Sequence, residues 1–371
     1  MKHIITALGA LAVSTTLAQA GGVERSNGNL GFMFQGGNYA ELTFGSISPD
    51  ISGTQRIPAG PFSPAGANSG DIAPAFTTMS LAVKTQLNDK LDFGVLLDQP
   101  ITAKVNYAGA TGYIYGGVTG SNAEIKSTAV TGILRYKVTD AVSVYGGLKV
   151  ENASGKVKLF NGYTMTTSTE KDLGYVVGAA YEKPDIALRV ALTYESAITH
   201  DFSVTENGSP SRSFATEVPQ ALTLDFQSGI AKDTLVFGSI RWRDWTAFDI
   251  SPAGYVAVQG EPLVSYDHDS VTYNLGIGRK FSDTWSGAVI VGHEATKNGF
   301  VGNLGPTNGY TSLGLGATYT KGNMKITGGV SYAWIGKAQT EAPRPFPPGT
   351  AIADFTDNHA VAVGVKIGFS F

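Results

Sequence analysis

From Val361 to Phe371 every second residue is large and apolar: Val361, Val363, Val365, Ile367, Phe369 and Phe371. Between them stand Ala362, Gly364, Lys366, Gly368 and Ser370. Side chains alternate sides along a strand, so this segment has one greasy face and one small or polar face. The pattern recurs in Ile186, Leu188, Val190, Leu192 and Tyr194, in Val271, Tyr273, Leu275 and Ile277, and in Met324, Ile326, Gly328, Val330, Tyr332 and Trp334. Most of these runs are longer than the ~5–6 residues typical of a soluble sheet.

The links between runs alternate in length. Tight links fall near Asn88-Asp89, Thr139-Asp140, Lys183-Pro184, Ala231-Lys232, Ser282-Asp283 and Gly322-Asn323. Long Gly/Pro/Ser-rich links occupy roughly 49–74, 107–122, 153–164, 200–213, 247–264, 297–308 and 338–356. Short turns at one end and long loops at the other define an outer-membrane barrel. The count is about fourteen antiparallel strands, with twelve or sixteen as alternatives. A soluble β-sandwich needs no such alternation of link length. Nor does it need Tyr136, Tyr181, Tyr319, Trp242, Trp285 and Trp334 near strand ends, where aromatic belts meet a membrane interface.

Composition agrees with an all-β transmembrane barrel. Glycine is abundant (47 residues), 15% of residues are charged and 42% are hydrophobic, and the mean hydropathy is +0.01. One apolar and one polar face average to that neutrality. A net charge of -3 gives no electrostatic case for a nucleic-acid partner. The chain has no cysteine, which removes disulfides and thiolate metal sites.

Three segments are expected. Residues 1–20 read as a signal peptide: Lys2 and His3 open it, Ile4 to Val13 is largely apolar, and Ala18-Gln19-Ala20 is a small-x-small cleavage site. That apolar run is shorter than the ~20 residues of a spanning helix. Residues 21–37 carry Leu30, Phe32, Met33 and Phe34 between glycines, and form either a plug (hatch) folded up into the lumen, or a disordered tail or a slightly longer first strand. Residues 38–371 form the barrel. In its third strand Asp98-Gln99-Pro100 interrupts Leu91 to Tyr107. Proline cannot donate to the ladder, so the break is either a lateral gate toward lipid or a plain bulge.

Enzymatic signals are weak. His293-Glu294 has Lys297 where a zinc motif needs its second histidine. Gly314-Leu315-Gly316 lacks the third glycine of a dinucleotide fingerprint and the helix that should follow. No G-x-S-x-G elbow is present. An outer-membrane lipase built from Ser, His and Asn on separate strands is the enzymatic alternative. The reading is otherwise no catalytic residue, no metal and no cofactor.

Several of these residues are similar to the FadL/TodX family of outer-membrane transport proteins for long-chain fatty acids and aromatic hydrocarbons. The resemblance rests on Val218-Pro219-Gln220, a hairpin, and then Trp242-Arg243-Asp244-Trp245-Thr246-Ala247-Phe248. Pro49-Asp50-Ile51-Ser52-Gly53, Pro100 and the final Phe371 add to it. It implies a monomeric fourteen-stranded barrel with an N-terminal hatch, a ligand site beside the hatch, and an exit at the kinked third strand. It also implies that Phe371 is presented to the barrel-assembly machinery. The family's Asn-Pro-Ala motif has no counterpart, since Gly37-Asn38-Tyr39-Ala40 lacks the proline.

The expected function is uptake of small hydrophobic molecules by passive diffusion. Such a molecule gains ~0.8 kcal/mol per buried CH₂ on leaving water, and a protein path spares it the polar lipopolysaccharide above the membrane lipid. The candidate ligand residues are Phe32, Phe34, Phe62, Phe76, Tyr113, Tyr115 and Phe160, with Asp98, Gln99 and Pro100 as the gate. A general hydrophilic porin is the main alternative, with Arg189, Glu195, Arg241, Arg243 and Lys366 as a charged lining. A structural or adhesion barrel is the other.

Overall fold

The computed structural model describes residues 23–371; the signal peptide expected over 1–20 lies outside the described residues. The chain forms a closed antiparallel barrel of fourteen strands. The first seven are β1 (Tyr39–Asp50), β2 (Phe76–Asn88), β3 (Leu91–Asp98 and Ala103–Tyr107), β4 (Ser121–Lys137), β5 (Val142–Lys158), β6 (Glu170–Lys183) and β7 (Leu188–Glu195 and Ile198–Glu206). The rest are β8 (Ser209–Val218 and Ala221–Ala231), β9 (Thr234–Arg243), β10 (Ser270–Lys280), β11 (Trp285–Glu294), β12 (Tyr310–Lys321), β13 (Met324–Ile335) and β14 (His359–Ser370). Closure runs from Tyr39 opposite Ser370 to Asp50 opposite His359. A closed ladder satisfies the wall backbone except beside Pro100, and satisfied backbone is the condition for standing in hydrocarbon.

The two-residue period divides the wall as expected. Val361, Val363, Val365, Ile367 and Phe369 are exposed on β14, while Ala360 and Ala362 are fully buried. Tyr273, Leu275 and Ile277 on β10 and Val330, Tyr332 and Trp334 on β13 also face outward. Aromatic pairs mark both rims. Trp285 meets Tyr319 at 5.1 Å at the short-turn end, and Tyr332 meets Trp334 at 4.8 Å at the long-loop end. Among the described residues no helix is long and apolar enough to cross a membrane.

Two local expectations are corrected. The segment 200–213 is not a loop. Ile198–Glu206 and Ser209–Val218 pair as a hairpin that extends β7 and β8 past the wall. Its tip, Asn207-Gly208, has positive φ at both residues (50° and 80°), the backbone that a tight two-residue hairpin turn requires. Ile186 is not a strand residue either. Pro184–Ile186 is a single 3-10 turn ending on left-handed Ala187, because proline fixes φ and withholds the N–H a ladder would use.

Among the described residues the three larger of four buried apolar clusters fill the lumen and its cover. The long-loop end holds Tyr107, Tyr113, Tyr115, Ile352 and Phe355. Below it lie Val23, Ile101, Phe202, Val218, Trp245 and Phe248. Near the short-turn end, Leu30, Phe32 and Met33 pack on Tyr39, Leu96, Ile133 and Tyr145. A fourteen-stranded wall is too wide for its own side chains to fill; here loops and the N-terminal segment fill it.

Candidate functional site

The third strand stops pairing where Pro100 removes a donor. β2 pairs with β3 only from Leu81 opposite Leu97 downward. Beyond the break, Ala103–Tyr107 has, among the described residues, a ladder to β4 only, with Asn106 N–H donating to the Ile72 carbonyl at 2.8 Å on its other side. Phe76–Ser80 therefore holds a ladder to β1 and, among the described residues, none to β3. A shallow depression of about 480 Å³ in the outer wall lies there, lined by Phe44, Met79, Val363 and Val365 from the lipid face, by Gly45 and Thr78, and by Gln99.

The N-terminal segment uses the backbone groups that the break releases. The N–H groups of Arg25 and Ser26 donate to the Pro100 carbonyl at 2.8 and 3.4 Å, and Thr102 N–H donates to the Val23 carbonyl at 2.8 Å. Glu24 bridges to Ile101 as a short antiparallel contact. The Ser26 hydroxyl donates to Asp98 Oδ2 at 2.6 Å. A buried backbone that leaves its ladder must find other partners; at Pro100 the chain's own N-terminus supplies them.

Charged side chains hold the same segment. Glu24, 1% exposed, meets Arg241 at 2.9 Å and Arg243 at 3.2 Å. Arg241 also meets Glu195 at 2.8 Å, and Lys149 joins Glu195 at 3.7 Å and Glu151 at 3.5 Å. Lower down, Lys84 Nζ donates to the Gln35 carbonyl at 2.5 Å and Arg135 to the Met33 carbonyl at 3.1 Å. Phe34 lies between two guanidiniums, with Arg135 at 4.4 Å and Arg189 at 4.7 Å from the ring centre. Gly94 on β3 admits this packing: a Cβ there would meet the Met33 sulfur and the Phe32 ring inside contact distance.

Above the charges lies an apolar cavity of about 70 Å³. Val23 comes to it from the N-terminal segment and Ile101 from the break. Phe202, Phe214 and Val218 come from the hairpin, and Phe248, Leu263 and Tyr266 from the segment after β9. The hairpin delivers them by alternation: Ile198, His200, Phe202 and Val204 all turn inward and are buried. Glu206 at its tip ties it to the helix Ala253–Gln259, accepting from the N–H groups of Gly254 at 2.9 Å and Tyr255 at 3.0 Å and from the Tyr163 hydroxyl at 2.6 Å.

The candidate residues fall into separate places. Phe32 and Phe34 are in the N-terminal packing just described. Phe76 lies 3.8 Å under the Arg25 guanidinium at the start of β2. Tyr113 stacks on Tyr107 at 5.5 Å, and Tyr115 meets Tyr107 at 5.4 Å and Phe160 at 5.1 Å within the loop cover. Phe62 is 90% exposed on an outer loop. Asp98, Gln99 and Pro100 come together at the break. None of the seven aromatics borders the apolar cavity. Its wall comes instead from Val23, Ile101, His200, Phe202, Phe214 and Phe248, none of which the sequence reading offered as a ligand residue. The alternation from Ile198 to Val204 beside Asn207-Gly208 is the signal that would have found two of them, His200 and Phe202.

A closed fourteen-stranded barrel with aromatic rims, long loops on one side and an occupied lumen is an outer-membrane transport architecture. The family model described as outer membrane protein transport protein (OMPP1/FadL/TodX) matches residues 9–371, and the chain belongs to that family. It is accordingly an outer-membrane transport protein and not an enzyme. Similar solved structures include a Pseudomonas aeruginosa FadL homologue, 15% identical with a TM-score of 0.73 over 92% of each chain. The toluene transporter TodX of P. putida is 13% identical, with a TM-score of 0.61 over 91% of this chain and 90% of that one. The Ralstonia pickettii toluene transporter TbuX is 14% identical, with a TM-score of 0.61 over 92% and 91%. No curated protein sequence matches the chain.

Proposed function

We propose that the barrel takes up small hydrophobic molecules by passive diffusion, receiving them from the outer loops into the apolar cavity and releasing them sideways into lipid through the break in β3. Residues 23–37 are the hatch of this path. The observation that carries the reading is the meeting of Val23 and Ile101 in one apolar wall, with the Val23 carbonyl accepting from the N–H of Thr102, the next residue after Ile101, across the break. A ligand entering that cavity presses on the hatch and on the gap at once.

Size supports a moving part. The cavity of about 70 Å³ is roughly half the ~150 Å³ of an apolar cavity known to hold benzene. A ring enters only if the lining yields, and Val23 stands on a segment joined to the wall by a single bridge and not by a ladder. The released ligand then meets Phe44, Met79, Val363 and Val365 at the lipid face, so the path stays apolar to its end. Exposed Phe62 is suited to first capture.

A second route has one observation in its favour. A space of about 210 Å³ beside Phe32, Tyr39, Glu41, Trp285, Lys325 and Lys366 lies next to the hatch at the short-turn end, and would carry a solute straight down. Its lysines and carboxylate suit water better than hydrocarbon. The two routes separate in one experiment, uptake of labelled p-xylene by cells producing either the wild type or Thr78→Trp, which fills the depression beside Gln99. Lateral release predicts at least a tenfold loss with p-xylene binding to the purified protein kept. Undiminished uptake by the variant contradicts it and moves the exit to the short-turn end.

A further inference from the structure

The apolar cavity contains one polar group that packing alone does not account for. His200 belongs to its lining and is completely buried. Its Nδ1 lies 2.8 Å from Asp172 Oδ2 on β6, while its Nε2 is buried with no hydrogen-bond partner among the described residues. Other polar neighbours in the wall are engaged. Glu124 is paired with Lys156 at 2.8 Å, the Thr167 hydroxyl donates to the Ser168 carbonyl, and the Thr216 hydroxyl donates to the Asp249 carbonyl.

The Asp172 carboxylate can only accept, so the proton of a neutral ring sits on Nδ1 and the lone pair on Nε2. The ring is fixed on its other side by Phe202, stacked at 5.8 Å between centres. An oriented acceptor in an apolar wall costs free energy unless something donates to it. The sequence places it deliberately within its strand: the inward neighbours Ile198, Phe202 and Val204 are apolar.

We infer that His200 is a specificity residue that accepts a hydrogen bond from a hydroxyl on the transported molecule, so that the preferred cargo is a hydrophobic alcohol or phenol and not a bare hydrocarbon. The inference rests on the reading of the apolar cavity as the ligand site. Asp172 is the positioning residue: it sets which nitrogen carries the proton and holds the ring edge toward the ligand. Ile101, Phe202 and Phe248 bind the apolar body, and Nε2 reads its one polar substituent.

The test uses two ligands of nearly equal shape, p-cresol and p-xylene, which exchange a hydroxyl for a methyl. Equilibrium binding of each is measured on the purified full chain in detergent, as wild type and as His200→Phe. The p-cresol to p-xylene affinity ratio should fall about tenfold in the variant, the size of one buried hydrogen bond. Asp172→Ala, which leaves the imidazole in place but loose, should lower the same ratio by a smaller factor and serves if His200→Phe does not fold. An unchanged ratio in the variants overturns the role of His200 while leaving the cavity as the ligand site. Failure of the wild type to bind either ligand overturns both.

Discussion

The lumen is built in two contrasting storeys. Its middle and lower part is a lattice of paired charges, Glu24 with Arg241 and Arg243, Glu195 with Arg241 and Lys149, together with backbone carbonyls of the N-terminal segment held by Lys84 and Arg135. The part above it is an apolar cavity walled by Phe202, Phe214, Phe248, Val23 and Ile101. Ionic contacts are directional and expensive to break when buried; apolar contacts are non-directional and yield to another apolar surface. The first kind suits a segment that must stay put between transport events, the second a surface that a passing molecule must replace. Val23 and Glu24, adjacent in the chain, belong to one storey each, and on the proposed path a displacement above is passed to the ion pairs below.

The difference can be broken from either side. Removing the lock has the largest expected effect. Arg241→Ala leaves Glu24 and Glu195 without their shared guanidinium, at a cost of about 3–5 kcal/mol, and should turn a nearly closed channel into one with frequent openings in planar-bilayer recordings. Crowding the hatch comes next: Gly94→Leu forces Phe32 and Met33 off β3, with an overpacking cost of about 1–3 kcal/mol and a smaller rise in conductance. Phe202→Ala attacks the other storey. It should weaken p-xylene binding by about tenfold, roughly 1.4 kcal/mol, and leave conductance unchanged. A conductance change as large as that of Arg241→Ala would show that the two storeys are not separable.

The smallest effect concerns the hairpin that carries Phe202. Burial pushes the Glu206 carboxyl up, but donation from Ser211, Tyr163 and the N–H groups of Gly254 and Tyr255 outweighs it, and the net shift is downward from the ordinary carboxylate value. A carboxyl lowered on folding stabilises the hairpin fully above its unfolded value and loses that contribution as pH falls through its folded one. Acid below the ordinary carboxylate range should therefore loosen the cavity while the wall remains intact. Glu206→Gln should lower p-xylene affinity at pH 7 by a few-fold and flatten its decline toward acid, measured by the same binding assay.

Much of the wall was legible in the chain because membrane strands obey one rule. Val361 to Phe369 needs no partner to be read, since lipid on one side and lumen on the other impose the alternation. The six tight turns were also placed, although the first sits at Asp89–Lys90, between Asn88 and Leu91. Pro100 announced the break for a local reason, its missing N–H. The cavity was not legible. Phe202 and Phe214 lie in a segment rich in turn formers that reads as loop until Asn207-Gly208 is taken as a hairpin tip. Phe248 and Tyr266 reach the lumen only by a long excursion after β9. Glu24 is one carboxylate among many in the sequence, and its meaning comes from Arg241 and Arg243, more than two hundred residues away. The aromatics chosen from the sequence were conspicuous for their loops; the structure uses Tyr113, Tyr115 and Phe160 to cover the barrel.

The central claim is that the N-terminal segment closes the lumen through buried ion pairs and gives way to an apolar ligand. Single-channel conductance of the purified protein in a planar bilayer, with and without residues 21–37, tests it most directly. The account predicts a nearly closed full-length protein and a large, steady conductance once the segment is removed. A large steady conductance from the intact protein would contradict it, and the barrel would then be an open hydrophilic pore.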